Sequence, residues 1–275
     1  IYVLNGIQNY NLKLFKKYNL VPIINTISEL KIINKSKLKF GLHIDTGINR
    51  LGIKYNEIPN STFSNKNISI IISHLSSADE INNKFNEIQK KRFCDLMSKF
   101  NSNNIIYSLA NSNGAVISKS FLFDMVRPGI GLYGGNNNNK KLINKINSVA
   151  TLSGKIIQIK IINKNEFVGY NQTYKAEKKI KVAVIGIGYE DGIPRILSNT
   201  GYVYYKNNKF KIIGRISMDS LTIDITKSKH NLRVGLFVQI IDNMHGIEEF
   251  AKKSKTIRNE IITSIGSRVK RIYVK

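Results

Sequence analysis

Short apolar runs alternate with segments of helical period through the first half of the chain. A short apolar run is typical of a buried strand, whereas apolar positions three and four residues apart are typical of a helix. Strands are predicted at residues 2–4, 21–25, 39–45, 68–74, 105–109 and 125–127. Helices are predicted at residues 9–18, 28–33 and 80–100. This alternation predicts βαβ units and a parallel sheet, and therefore an α/β fold.

Polar or glycine-bearing turns follow the predicted strands. They begin at Asp45, His74, Asn111 and Arg127. In a (β/α)8 TIM barrel, the carboxyl ends of the strands build the active site. The chain shows about six such units and opens directly on an apolar strand pattern at Ile1. We therefore expect a partial TIM barrel that lacks its first units.

The pattern changes after a break rich in glycine and asparagine at residues 134–141. Runs rich in isoleucine and valine, separated by Gly or Asn turns, predict strands at residues 150–162, 180–187, 203–205, 211–217, 221–225 and 236–241. Short helices are predicted at residues 248–255 and 258–264. We expect a mostly β C-terminal domain at residues 144–275, preceded by the barrel domain at residues 1–143.

The charge balance is strongly basic, since 43 Lys and Arg against 18 Asp and Glu give a net charge of +25. Such an excess often indicates a nucleic-acid partner. Here the lysines are spread along the chain among abundant Asn and Ile, which favours a drift in composition. We expect no nucleic-acid partner, no membrane partner and no metal site.

Only one cysteine occurs, Cys94, so the chain cannot form an internal disulfide. This composition fits a reducing compartment, and we expect a cytoplasmic protein. The amphipathic pattern around Cys94 predicts a buried or half-buried thiol.

Several residues are candidates for chemistry before any family is considered. Ser112 opens a helical stretch and, with the amides of Gly129-Ile130-Gly131, could hold a phosphate. An ordinary helix cap and an ordinary turn explain the same residues. Arg50 and Arg127 at strand ends favour an anion or cofactor site. Tyr170, at the end of a polar loop, could transfer a proton.

Together these residues resemble the alanine racemases, pyridoxal-phosphate (PLP) enzymes in which a barrel precedes a β domain. The resemblance covers nearly the whole chain. Residues 43–52 resemble the family's K-x-D-T-G-x-x-R-L-G and residues 74–79 its H-F-A-T-A-D. Residues 109–112 resemble A-N-S, residues 126–134 resemble V-R-P-G-I-A-L-Y-G, and residues 214–219 resemble G-R-[IV]-[SC]-M-D. Each motif alone is weak, but their shared order is specific.

The resemblance implies catalytic and substrate-binding roles. Tyr170 would be the base that exchanges the Cα proton on one face of the PLP-bound amino acid. Arg50 would lie beside the phenolic oxygen of the cofactor and the substrate carboxylate. The Met218 backbone would meet that carboxylate beside Asp219, and Tyr189 would line the substrate pocket. Because the family is dimeric, the residues of the β domain would act in the partner subunit's site.

The resemblance also implies the residues that bind PLP. Arg127 would hydrogen-bond the pyridine nitrogen and His74 would pack against the ring. The phosphate would be held by residues of two loops and one helix: Asn111, Ser112, Gly129, Ile130 and Asn259.

Three features depart from the family pattern. The family's V-K-A-N-A-Y-G-H-G segment, whose lysine forms the Schiff base and is the opposite-face base, is absent from the sequence. His43 stands where the family often has a lysine, and Asn259 stands where it usually has a phosphate-binding tyrosine. We therefore expect the 275 residues alone to be inactive.

The expected function is that of an alanine racemase, which interconverts L- and D-alanine by two-base proton transfer and supplies D-alanine for peptidoglycan. A related racemase for serine or lysine is an open alternative. A non-catalytic remnant of a decaying racemase gene, or a binding protein that keeps the fold, is another.

Overall fold

The computed structural model describes residues 1–7, 12–101, 104–135 and 146–274. The chain divides into two compact units, of which Ile1–Gly131 forms most of the first and Ile143–Lys275 most of the second. The predicted domain boundary near residue 143 lies outside the described residues.

The first unit contains a parallel sheet. Its strands are β1 (Tyr2–Val3), β2 (Val21–Ile24), β3 (Phe40–Asp45), β4 (Ile53–Lys54), β5 (Ile68–Ile72) and β6 (Ile106–Ser108). Its helices are α1 (Leu12–Lys17), α2 (Ile27–Ile33) and α3 (Lys84–Met97). The strand order is β1-β2-β3-β5-β6, and β4 pairs with β3. Consecutive parallel strands are what the barrel prediction requires, so the predicted fold class is confirmed.

All six residues of β3 are buried, as expected for a central strand covered on both faces. Their apolar side chains join a core whose fully buried members include Phe40, Leu42, Ile44, Phe93 and Phe121. The polar residues Asp45 and Thr46 at the end of β3 are buried as well, so polar side chains lie next to the apolar core.

One predicted strand of this unit is wrong. Residues 125–127 form no strand, and only Arg127 makes an isolated bridge, to Asn111. Pro128 follows at once and has no N–H to continue a ladder. The start predicted for α1 at residue 9 lies outside the described residues.

Cys94 is exposed, so the prediction of a buried or half-buried thiol is wrong. Its neighbour Phe93 takes the buried face of α3, and a helix turns consecutive residues to different faces.

The second unit is mostly antiparallel β. Its strands are β7 (Leu152–Ile162), β8 (Phe167–Val168), β9 (Tyr174–Lys175), β10 (Ile180–Ile185), β11 (Tyr202–Tyr205), β12 (Asn208–Lys211), β13 (Leu221–Asp224) and β14 (Phe237–Ile241). Two helices follow, α4 (Ile247–Lys253) and α5 (Arg258–Ser264). The main sheet has the order β12-β11-β14-β7-β10-β13, and β8 pairs with β9 separately.

The strand predicted at residues 211–217 is wrong in its bounds. The strand is β12, and the chain after it turns at Gly214, whose φ is +73°. A Cβ at Gly214 would lie 2.6 Å from the Val168 carbonyl oxygen, so the turn needs a glycine. The irregular segment that follows carries Met218 and Asp219.

Within the described residues, no helix is long and apolar enough to span a membrane. The same residues contain no cluster of three potential metal ligands among His, Cys, Asp and Glu.

Candidate active site

The turn after β3 is shaped by Asp45, the last residue of that strand. Asp45 Oδ1 accepts hydrogen bonds from the N–H groups of Gly47, at 2.8 Å, and Asn49, at 3.1 Å. Such an Asp-centred turn reverses the chain without a long loop. Gly52 lies so close to β3 that a Cβ there would be 2.9 Å from the Asp45 nitrogen. Arg50 lies between these points and is exposed.

A buried glutamine fastens the loops that follow β3 and β5. Gln89 Nε2 donates to Thr46 Oγ1, at 3.2 Å, and to the His74 carbonyl, at 3.0 Å. Its Oε1 accepts from the Ser76 N–H at 2.9 Å. Gln89 was not predicted from the sequence, although a polar residue on the core-facing side of α3 was the available signal.

Arg127 is held by acceptors at the ends of two neighbouring strands. Nη1 donates to the Ser108 carbonyl at 2.8 Å and to Ser108 Oγ at 2.6 Å. Nη2 donates to the Ser73 carbonyl at 2.5 Å and to the Leu109 carbonyl at 3.4 Å. Burial lowers the pKa of Arg127 to about 10, so the guanidinium is still charged near neutral pH. The result is a fixed cation that can only donate hydrogen bonds.

His74 lies beside this cation at the end of β5. Burial lowers the pKa of His74 to about 4, and the charges of Arg127 and Arg50 act in the same direction. Asn111 Nδ2 is 3.5 Å from His74 Nε2, and Asn111 Oδ1 accepts from the Gly114 N–H at 2.8 Å. His74 therefore presents a neutral ring at neutral pH.

Ser112 draws a glycine-rich segment toward itself. Its Oγ accepts from the N–H groups of Gly129, at 2.8 Å, and Gly131, at 3.1 Å. Because both contacts use oxygen lone pairs, the Ser112 hydroxyl proton is left to donate elsewhere. Space is open beside Gly129, where an added Cβ would have no heavy atom within 4 Å. Ile130, between the two glycines, is buried.

His43 is buried inside β3 and bonded through one ring nitrogen. Asn25 Nδ2 donates to the carbonyls of Leu4 and Ile23, so Asn25 Oδ1 is an acceptor. His43 Nδ1 lies 2.9 Å from that oxygen and therefore carries the proton. His43 Nε2 is buried and has no hydrogen-bond partner among the described residues. Burial lowers the pKa of His43 to about 4, with Arg127 and His74 adding to the effect.

A second group of candidates lies in the β unit. Tyr170, Tyr189, Met218 and Asp219 line one depression, together with Asn171 and Arg195. Tyr170 follows Gly169, whose φ is +77° and whose missing Cβ leaves room for the Arg215 backbone. The tyrosine itself is 65% exposed, so its phenol is available to a ligand.

The predicted site residues thus fall into two groups, one in each unit. His74, Asn111, Ser112, Arg127, Gly129 and Ile130 lie at the strand ends of the first unit, near the turn that carries Arg50. Asn259 is exposed in the first turn of α5 and is not among the residues that line the depression of the β unit.

The first unit has cationic and hydroxyl groups at the ends of its parallel strands, and the β unit has a tyrosine-lined depression. Together they are typical of a two-domain enzyme. The family model for the alanine racemase N-terminal domain matches residues 1–137, and that for the C-terminal domain matches residues 149–273. The chain belongs to the alanine racemase family.

Individual relatives agree with this assignment. The alanine racemase of Brucella suis is 34% identical over 298 residues, covering 100% of this chain and 75% of the relative. That of Rickettsia bellii is 36% identical, covering 99% of this chain and 69% of the relative. The crystal structure of alanine racemase from Bartonella henselae with covalently bound pyridoxal phosphate superposes with a TM-score of 0.90 at 31% identity, covering 100% of this chain and 79% of the other.

We expect His43 and His74 to remain neutral at pH values well below their ordinary pKa of 6.5, because protonation would place charge in a buried cationic site. In the unfolded chain they take up protons near that ordinary value, so the folded state should lose stability as the pH falls from about 6.5 toward about 4. Nitrogen-15 NMR of the imidazoles and urea unfolding at several pH values would check this. A His43 or His74 ring that titrates near 6.5 would contradict it.

Proposed function

We propose that this chain supplies one proton-transfer base and the cofactor cradle of an alanine racemase that interconverts L- and D-alanine. The cradle consists of Ser112 and residues 129–131. The observation that carries the proposal is the fixed Arg127 cation beside the Ser112 cradle, with both groups at strand ends. We further propose PLP as the cofactor, since the Bartonella henselae relative contains it covalently bound.

The residues present fit PLP. A phosphate needs hydrogen-bond donors, and the Ser112 hydroxyl and the open space beside Gly129 offer a donor and room. A pyridine nitrogen needs one further donor. Arg127 Nε makes no hydrogen bond among the described residues, and the rest of the guanidinium is anchored. The neutral His74 ring offers a flat surface without a competing charge.

When bound, PLP supplies an electron sink for the charge that deprotonation leaves on the substrate Cα. Arg127 limits that sink, because a guanidinium donates a hydrogen bond without giving up its proton to the ring. Arg50, exposed on the turn after β3, is proposed to attract the substrate carboxylate. Asn111 keeps the cradle in place by capping the turn at Gly114.

Tyr170 is proposed to move the Cα proton on one face of the substrate. A phenol works as a base near neutral pH only beside positive charge, and Arg195 lines the same depression. Tyr189 and the Met218 backbone are proposed to contact the substrate, with Asp219 next to them. We propose a homodimer in which these residues complete the site of the partner subunit.

Two departures modify the cradle. Asn259 is proposed to contribute a hydrogen bond to the phosphate, although its side chain is shorter than the tyrosine usual in the family. His43 places a neutral acceptor where the family often has a lysine. A cytoplasmic location and the supply of D-alanine to peptidoglycan follow from the proposed family role.

We propose that the 275 residues alone do not racemise alanine. The 275 residues contain no V-K-A-N-A-Y-G-H-G segment, so by themselves they lack the opposite-face base. We expect the purified polypeptide to form no D-alanine from L-alanine and PLP above a protein-free blank, as measured by chiral chromatography. A hybrid in which a relative's lysine-bearing segment precedes Ile1 is the positive control. Robust racemisation by the 275 residues alone would overturn the proposal.

In that hybrid, Tyr170→Phe should slow the exchange of the Cα hydrogen with D₂O much more for one alanine enantiomer than for the other. The asymmetry is expected because each base serves one face of Cα. Proton NMR of L- and D-alanine in D₂O measures it, and Tyr205→Phe is a matched control outside the depression. Equal losses for both enantiomers would contradict the role. Faster turnover of serine or lysine would instead favour a related racemase.

Ser112→Ala should weaken the binding of pyridoxine 5′-phosphate by about tenfold, through the loss of one hydrogen bond to a charged group. This probe has no aldehyde and cannot form Schiff bases with the many lysines. Calorimetry with the 275-residue protein measures the affinity. Ser118→Ala, which removes a hydroxyl that bonds to Ser120, is the control. An unchanged affinity in Ser112→Ala would place the phosphate elsewhere.

A further inference from the structure

An arginine near the end of the chain bonds to two acidic residues that are far from it in sequence. Arg268 Nε lies 2.7 Å from Asp191 Oδ1, and Nη2 lies 3.1 Å from Asp191 Oδ2. The same Nη2 lies 2.6 Å from Asp219 Oδ1. A planar guanidinium suits this geometry, since its donors are held in a rigid fork. No motif in the sequence pointed to Arg268.

Asp191 is buried and stabilises the turn that carries Tyr189. Its Oδ2 accepts from the Gly188 N–H at 2.8 Å, so the carboxylate caps the start of that turn. Burial opposes ionisation of Asp191, but the hydrogen bonds from Arg268 and Gly188 outweigh it and hold the pKa of Asp191 below its ordinary value. The contact with Arg268 therefore anchors a charged group inside the fold.

The turn at Tyr189 and the segment at Met218 touch through their backbones. The Tyr189 N–H donates to the Ser217 carbonyl at 3.0 Å, and the Glu190 N–H donates to the Met218 carbonyl at 3.1 Å. A Cβ at Gly188 would lie 2.3 Å from both of these carbonyl oxygens. The two segments are thus in direct backbone contact, and Arg268 also joins their carboxylates.

Asp219 is also an electrostatic obstacle. Its side chain is 64% exposed and adjoins the depression that is proposed to receive the substrate carboxylate beside the Met218 backbone. Two carboxylates at close range repel each other. The contact with Arg268 offsets the charge of Asp219 and restricts the rotation of its side chain.

We propose that Arg268 is a positioning residue that holds Tyr189 and Met218 as one rigid wall and neutralises Asp219 beside them. It acts through the two aspartates and does not itself touch the substrate. The consequence for catalysis rests on the proposed function, whereas the clamp itself is a property of the β unit.

The test uses the 275-residue protein without cofactor. Arg268→Gln should speed amide hydrogen exchange at Tyr189 and Glu190 by at least about tenfold, while the amides of β7 and β10 keep their protection. Arg268→Lys should restore only part of it, because one ammonium cannot hold both carboxylates in the same geometry. Arg271→Gln, which removes the same charge from an exposed arginine of the same segment, is the control and should change nothing.

Carbon-13 NMR of the carboxyl groups provides a second readout. The pKa of Asp191 should rise in Arg268→Gln and stay unchanged in Arg271→Gln. If Arg268→Gln does not fold, Asp219→Asn removes one arm only and should loosen the segment at Met218 while Asp191 keeps its low pKa. Unchanged exchange and an unchanged Asp191 pKa in Arg268→Gln would overturn the proposal. None of these readouts needs PLP or racemisation, so a failure of the proposed function would be seen separately.

Discussion

The contact on which the first unit's site depends is that between the Arg127 guanidinium and the carbonyl groups at the ends of β5 and β6. Carbonyl oxygens of Ser73, Ser108 and Leu109 accept from it, together with Ser108 Oγ. A half-buried cation is tolerated there because its donors are satisfied by backbone dipoles that the sheet already holds in place. The neutral states of His43 and His74 follow partly from that charge.

The cradle follows from the same arrangement. Arg127 bridges to Asn111, and this brings the segment after Pro128 beside the loop after β6. Ser112 can then accept from Gly129 and Gly131. Cation and hydroxyl are thereby fixed at neighbouring strand ends, which suits a ligand with an anionic group and a polar ring. In the β unit, a second arginine makes a comparable double contact, since Arg268 bonds to Asp191 and Asp219 on two segments that also touch through their backbones.

Much of the fold could be predicted from the periodicity, because strands such as β5 are short runs rich in isoleucine and α3 has an amphipathic pattern. The failures have local causes. Residues 125–127 look like a strand but precede Pro128, which ends the ladder after a single bridge. Residues 211–217 look like a strand but contain Gly214, which has a left-handed conformation and packs so close to the Val168 carbonyl that no Cβ fits. Cys94 lies beside a buried phenylalanine and faces solvent instead.

The sequence by itself determined the alternation of strands and helices, the change to a β domain, and the types of residue at the strand ends, since these depend on local patterns and on motifs of fixed spacing. The tertiary structure alone decided the tautomer of His43, the anchoring of Thr46 and His74 by Gln89, and the double contact of Arg268. Each of these depends on hydrogen bonds between residues distant in sequence, and their partners become known only once the strands and loops are packed.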